Sequence, residues 1–343
     1  MRPHLRIVTS LWFLALCTTT LPAAAPEPEH AAQGLVARLI PGRSGDFLFE
    51  TISSADGGDV FEIETIGAQT VIRGNTGTAM AIGLNWFLKY HCACHVSWYG
   101  DQLRLPRPLP RVQPKVRRTS WARYRYFLNY CCFGYSLPWW DWPQWERLID
   151  WMALNGINLP LAVTGQEAVW QAVCRRLGMS DGQITDFLAG PPYLPFQWMG
   201  CLDGWGGPLP KDWVARHEEL GRKILARERE LGMTPVLQGF TGHVPPQIAQ
   251  LFPDARLQKI KWIEWETQLL DPLDPLFPKM ASLFLEEQKA KFGTDHHYAA
   301  DTFIEMVPPV ATSNTSPTWV ARSTRAWRRA IHAPSGSFRA GPS

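Results

Sequence analysis

The residues best suited to chemistry lie late in the chain, where a strand-like run over residues 298–303 leads into Asp301-Thr302-Phe303-Ile304-Glu305-Met306. A carboxyl group delivered at the carboxyl end of a strand is where a β/α barrel places groups that meet substrate. Glu305 there suits a proton donor to a departing oxygen. By position alone it is equally compatible with a plain exposed loop carboxylate. On an extended strand, Asp301 and Glu305 would stand about 13 Å apart, at about 3.3 Å per residue. That exceeds the roughly 5 to 5.5 Å or 6.5 to 9.5 Å between paired carboxylates that cleave a glycosidic bond. A catalytic partner for Glu305 is therefore expected from another strand, and Asp301 is expected as a buried hydrogen-bonding residue of the barrel. From Met306 to the last residue, Ser343, there is no Asp or Glu.

Other polar groups fall at the same rim. Asn129 and Cys131 follow a strand expected over residues 124–129, and His243 follows one over 233–240 in Phe240-Thr241-Gly242-His243-Val244-Pro245-Pro246. A hydroxyl-rich ligand needs such fixed donors and acceptors, because an unpaired buried polar group costs about 1 to 3 kcal/mol. A turn-stabilising role is the alternative for His243. Glu167 reads as the N3 residue of a capping box in Thr164-Gly165-Gln166-Glu167, Asp141 as an N-cap, and Asp203 as turn chemistry within reach of the site. The 17 Trp exceed what a core of this size needs. Trp198, Trp205 and Trp262 fall in polar or Gly/Pro-rich segments, where an indole can stack on the C–H face of a sugar while its N–H takes a polar partner. His91-Cys92-Ala93-Cys94-His95 has the look of a metal clamp. Strand alternation, however, sends Cys92 and Cys94 to one side and both histidines to the other, so four ligands do not converge. No metal and no cofactor is expected.

These groups need elements to hold them. Residues 29–110 show mixed patterning, with strands expected over 46–51 and 60–66 and a helix over 79–89 started by Thr76-Gly77-Thr78. Leu105-Pro106-Arg107-Pro108-Leu109-Pro110 reads as the linker that closes this small α/β domain. From residue 119 to 333 the rhythm is strand, loop, helix, with strands expected over 124–129, 157–162, 233–240 and 298–303. Helices are expected between them, including 212–231 and 275–292. Alternation of this kind implies a parallel sheet, and a (β/α)8 TIM barrel is the expected closure. Only four barrel strands are evident where eight close the ring, so the barrel is read as incomplete and the chain as the front portion of a longer enzyme.

Residues 1–25 combine a basic start, an apolar run and Ala23-Ala24-Ala25, the pattern of a secretory leader too short to span a bilayer. Export to a periplasmic, extracellular or lysosome-like compartment is expected, with no membrane span. The six cysteines that then remain are an even count for an oxidising compartment. A formal charge of +3 gives no argument for a nucleic-acid partner. The tail over residues 334–343 has the composition of disordered or out-of-frame sequence.

Several ordered blocks resemble the alpha-N-acetylglucosaminidase family, glycoside hydrolase family 89. They are Trp139-Trp140-Asp141-Trp142, the run from Trp145 to Leu159, Gly165-Gln166-Glu167-Ala168-Val169-Trp170, Gly207-Pro208-Leu209-Pro210, Gly232-Met233-Thr234-Pro235-Val236-Leu237, Gly242-His243-Val244-Pro245 and Phe292-Gly293-Thr294-Asp295-His296. The resemblance implies an exo-acting retaining hydrolase whose partner is a glycan ending in alpha-linked N-acetylglucosamine. It implies Glu305 as acid/base, and Asn129, Cys131, Met199 and Trp262 as lining of the sugar pocket. Phe196 stands where the family commonly has a pocket tryptophan, and Ile304 where it usually has Asn. The family's nucleophilic glutamate has no counterpart in this sequence, so impaired or absent turnover is expected. A sugar-binding remnant and an inert fragment are the alternatives.

Overall fold

The computed structural model describes residues 27–55, 57–97 and 99–307; the leader and the tail lie outside the described residues. The first element, not anticipated above, is helix α1 (Pro28–Leu39), started by Pro28 in its first turn and buried through Ala31, Ala32, Leu35 and Val36. Strands β1 (Phe47–Thr51), β2 (Val60–Ile66) and β3 (Gln69–Gly74) follow, then α2 (Gly77–Tyr90). Thr76 caps α2 as its motif suggests, its Oγ1 accepting from the Ala79 N–H at 2.9 Å. After the hairpin β4 (His95–Val96) and β5 (Asp101–Gln102), the chain crosses the proline-rich stretch and returns as β6 (Val116–Thr119). The sheet order is β1-β3-β2-β6. Beyond the proline-rich segment, β6 adds to the same sheet, and Lys115 and Arg117 both pair with Glu62 on β2.

The second part follows the expected alternation. β7 (Tyr126–Phe127) leads to α3 (Tyr130–Tyr135) and α4 (Trp142–Leu154); β8 (Leu159–Pro160) leads to α5 (Gln166–Arg176), α6 (Asp181–Phe187), α7 (Leu194–Trp198) and α8 (Trp213–Glu230). β9 (Leu237–Gln238) is followed by β10 (His243–Val244), α9 (Ile248–Leu251), β11 (Leu257–Trp262), β12 (Trp265–Leu270), α10 (Leu276–Phe292) and β13 (Tyr298–Ala299). β7 pairs with β8 in parallel, a bridge between Leu161 and Val236 joins β8 to β9, and β9 pairs with β13. Chain order and spatial order coincide, as in the opening units of a β/α barrel. All four strands lie inside the expected runs but are shorter. The run over residues 298–303 is paired only through Ala299, because the chain then turns: the Ile304 N–H donates to Asp301 Oδ1 at 3.2 Å.

An antiparallel sheet of order β10-β12-β11 is inserted after β9 and was not anticipated. Its tight turn uses Ile263 and Glu264, with Ile263 at φ +52°, where Asn-Gly would have been the legible signal. The capping-box reading of Thr164–Glu167 is also corrected. The N-cap position of α5 is Gly165, and Glu167 points inward, its Oε1 accepting from Trp213 Nε1–H at 3.0 Å. Gly165 and Gly221 let the post-β8 loop and α8 touch: a Cβ would lie 2.6 Å from the His217 carbonyl oxygen and 2.3 Å from that of Thr164, respectively.

The two parts share one apolar core and are fastened across it. Asn85 Nδ2 donates to the Leu154 carbonyl at 2.8 Å, and Thr78 Oγ1 to that of Leu231 at 2.8 Å. Arg38 makes a bidentate pair with Asp150 at 2.7 and 2.8 Å. No helix among the described residues is long and apolar enough to cross a membrane.

Candidate active site at the barrel rim

The turn after β13 sets the site. Because Asp301 spends Oδ1 on the Ile304 N–H, residues 301–306 fold back instead of running on as a strand. The 13 Å separation drawn from strand geometry therefore does not apply, and Asp301 is half-buried rather than a barrel core residue. Glu305 is exposed at the turn, its Oε2 accepting from Trp262 Nε1–H at 3.1 Å. Trp262 ends β11 and stacks on Phe196 of α7, centroids 5.4 Å apart. The unanticipated hairpin thus delivers one of the anticipated residues to the acid.

Beneath these groups lie the ends of the other units. Cys131, at the start of α3, is half-buried; burial raises its thiol, and the neighbouring Glu305 and Asp301 carboxylates add to the effect. Cys201, behind α7, is fully buried, and its thiol is pushed up to about 12 by burial first, then by Cys131, Asp301 and Glu305. Burial, with a contribution from Asp301, also raises the phenol of Tyr126. The influence of Asp301 and Glu305 on both thiols puts the two carboxylates near Cys131 and Cys201. Met199 is 1% exposed and forms part of the packed layer below. Asn129 is exposed and caps α3, its Oδ1 accepting from the Cys132 N–H at 3.0 Å.

His243 is brought near but faces inward. It is 2% exposed, its ring packs between Trp170 and Phe187, and Nε2 lies 2.8 Å from Asp203 Oδ1. The loop holding Asp203 is also tied by Thr267 Oγ1, which donates to the Gly200 carbonyl at 2.7 Å. His243 and Asp203 thus brace the segment carrying Cys201 from behind. Trp198 is buried in α7 rather than presented on a loop, whereas Trp205 is 50% exposed. Trp265, stacked on Trp262 with centroids 5.4 Å apart, is a site neighbour that the sequence reading missed; aromatic residues at both ends of the Ile263-Glu264 turn were the available signal. Cys92 and Cys94 are buried free thiols, and among the described residues no group of three or more His, Cys, Asp or Glu is placed to hold a metal ion.

A barrel rim bearing an exposed glutamate against stacked aromatic rings is the architecture of a carbohydrate-active enzyme. Comparison with known proteins gives the family. The alpha-N-acetylglucosaminidase (NAGLU) tim-barrel domain matches residues 125–335, and the N-terminal domain of the same family matches residues 30–111. The chain belongs to the alpha-N-acetylglucosaminidase family, whose members are glycosidases. It is 45% identical over 324 residues to human alpha-N-acetylglucosaminidase, an alignment covering 91% of this chain and 43% of the human protein. A family 89 glycoside hydrolase from Clostridium perfringens, in complex with PUGNAc, superposes with a TM-score of 0.84 at 32% identity over 88% of this chain and 35% of that one. The same bacterial enzyme, with two glutamates replaced by glutamine and its substrate GlcNAc-alpha-1,4-galactose bound, gives a TM-score of 0.82 at 32% identity over the same shares. The chain spans less than half the length of these relatives.

Proposed function

We propose that this chain carries the acid/base half of an exo-acting, retaining alpha-N-acetylglucosaminidase site in an exported protein. The observation that carries the reading is the Trp262 Nε1–H bond to Glu305 Oε2 beneath a stack of aromatic rings. Glu305 protonates the glycosidic oxygen as a second carboxylate attacks the anomeric carbon, then takes a proton from the water that releases the sugar. Phe196, Trp262, Cys131, Met199 and Asn129 form the lining and floor of the sugar pocket, and His243 acts by positioning the Cys201 loop. The bacterial relative's two substituted glutamates support a two-carboxylate mechanism.

Two features support reading the second carboxylate as absent from this site: Asp301 is engaged by its own turn, and residues 306–343 contain no Asp or Glu. The chain alone is therefore a binder of terminal N-acetylglucosamine that does not turn over its glycoside. Tryptophan fluorescence titrated with N-acetylglucosamine tests this. Saturable quenching that weakens on Trp262→Ala supports the site; a flat titration removes it.

A further inference from the structure

A second concavity lies where the two parts of the chain meet. It is a cleft of about 380 Å³ between α2 and β6 of the first part and the segments that lead into β7 and β8 of the second. Arg125 precedes β7, and Asn155 and Gly156 precede β8, so the cleft opens at the amino ends of the barrel strands, whereas Glu305 stands beyond the carboxyl end of β13. Its size falls within the roughly 300 to 1,000 Å³ of pockets that hold small molecules.

The lining is positive. From Gln102 to Trp140 the sequence carries eight Lys and Arg and no Asp or Glu, and two of these, Arg118 and Arg125, reach the cleft together with Lys89 from the last turn of α2. Arg125 is neutralised by Asp59 Oδ2, while Asp59 Oδ1 accepts from Thr76 Oγ1 at 2.9 Å. Lys89 and Arg118 have no carboxylate partner among the described residues. Arg118 is held instead by Trp86, its Cζ 5.3 Å from the ring centroid, and its Nη1 donates to the Arg117 carbonyl at 2.8 Å. Two uncompensated cations, one on a helix and one on a strand, suit an oxyanion that accepts charge-assisted hydrogen bonds from both.

Asn85 narrows the ligand further. It lines the cleft four residues before Lys89 on the same face of α2 and is 7% exposed. Its Nδ2 is spent on the Leu154 carbonyl at 2.8 Å, and its Oδ1 has no hydrogen-bond partner in the protein. A buried acceptor without a donor costs about 1 to 3 kcal/mol, a cost that a ligand hydroxyl removes. We propose that the cleft binds a small hydroxylated monoester of phosphate or sulfate, its oxyanion held by Lys89 and Arg118 and one of its hydroxyls donating to Asn85 Oδ1.

Calorimetric titration of the full chain at low ionic strength with glucose 6-phosphate, glucose 6-sulfate and the two inorganic ions tests the site. Binding of either ester supports it, and the tighter one names the oxyanion; that ester is expected to bind about fivefold tighter than its inorganic ion, the effect of one added hydrogen bond. Lys89→Ala and Arg118→Ala are each expected to weaken the ester about tenfold with little change in the urea midpoint of the free chain, which separates a lost contact from a lost fold, while Lys89→Arg retains most of the affinity. Saturating N-acetylglucosamine is expected to leave ester binding unchanged, because the cleft and Glu305 lie at opposite ends of the strands. The site is overturned if neither ester binds, if the ester binds no tighter than its inorganic ion, if affinity survives both alanine variants, or if N-acetylglucosamine displaces the ester. Binding of a long polyanion with neither ester would also overturn it and mark a diffuse basic surface instead.

Discussion

Replacing Glu167 by Gln should stabilise this protein at pH 8 and leave it nearly unchanged at pH 4.5. Glu167 is 1% exposed; Oε1 accepts from Trp213 Nε1–H at 3.0 Å, whereas Oε2 has no hydrogen-bond partner in the protein. Burial raises its carboxyl from the ordinary 4.5 to about 7, against the Trp213 hydrogen bond, which lowers it. The native state therefore holds a proton that the unfolded chain has released between those two values, and stability falls as pH rises through the interval. Below 4.5 both states are protonated and the group contributes nothing; above 7 the full cost is present. The interval of about 2.5 pH units, at about 1.4 kcal/mol each, gives roughly 3 kcal/mol. Gln keeps the shape and the acceptor for Trp213 but cannot ionise. Urea unfolding followed by tryptophan fluorescence should show Glu167→Gln more stable by roughly 3 kcal/mol at pH 8 and by less than about 0.5 kcal/mol at pH 4.5, with denaturant slopes unchanged. A variant equally shifted at both pH values, or destabilised at pH 8, would refute the argument.

Three further outcomes follow from the same packing. Ile304 is a β-branched residue at φ +40°, a region that Asn tolerates far better, so Ile304→Asn should raise the unfolding free energy by about 1 kcal/mol in urea titrations. Arg38→Ala strands Asp150, whose carboxyl burial already raises despite the Arg38 pair; with the arginine side chain 25% exposed, a loss of about 2 kcal/mol is expected in the same measurement, below the full cost of breaking a buried pair. The buried thiols of Cys92, Cys174 and Cys201, all raised by burial, should resist a thiol reagent at pH 8 in the folded chain and react on denaturation.

Much of the barrel was legible because helices and strands alternate with clear apolar stripes, so all four strand positions and the long helices α8 and α10 fell where the periodicity placed them. What failed was whatever depended on distant partners. Thr164-Gly165-Gln166-Glu167 satisfies a local capping rule, yet Trp213, 46 residues away, supplies the donor that draws Glu167 inside. His243 sits in a rim loop by sequence, but Trp170 and Phe187 enclose its ring. The turn at residues 301–306 was hidden by the strand-like reading of residues 298–303; the Ile304 N–H bond to Asp301 Oδ1 and the Met306 N–H bond to the Phe303 carbonyl show the chain leaving the sheet. The hairpin bearing Trp262 and Trp265 escaped notice because Ile263 and Glu264 are poor hairpin-turn residues. Glu305 was singled out by its place after the last strand, and Trp262 as a candidate stacking residue; that the two would touch was not legible.

The central claim, a proton donor at Glu305 awaiting an attacking group, is tested most directly by incubating the purified chain with an alpha-N-acetylglucosaminide, with and without sodium azide. Azide can attack the anomeric carbon in place of a carboxylate while Glu305 gives its proton to the departing oxygen. The expected result is no sugar release without azide, and with azide a β-glycosyl azide whose formation is lost in Glu305→Gln. Release of N-acetylglucosamine with retained configuration by the chain alone, without azide, would contradict it.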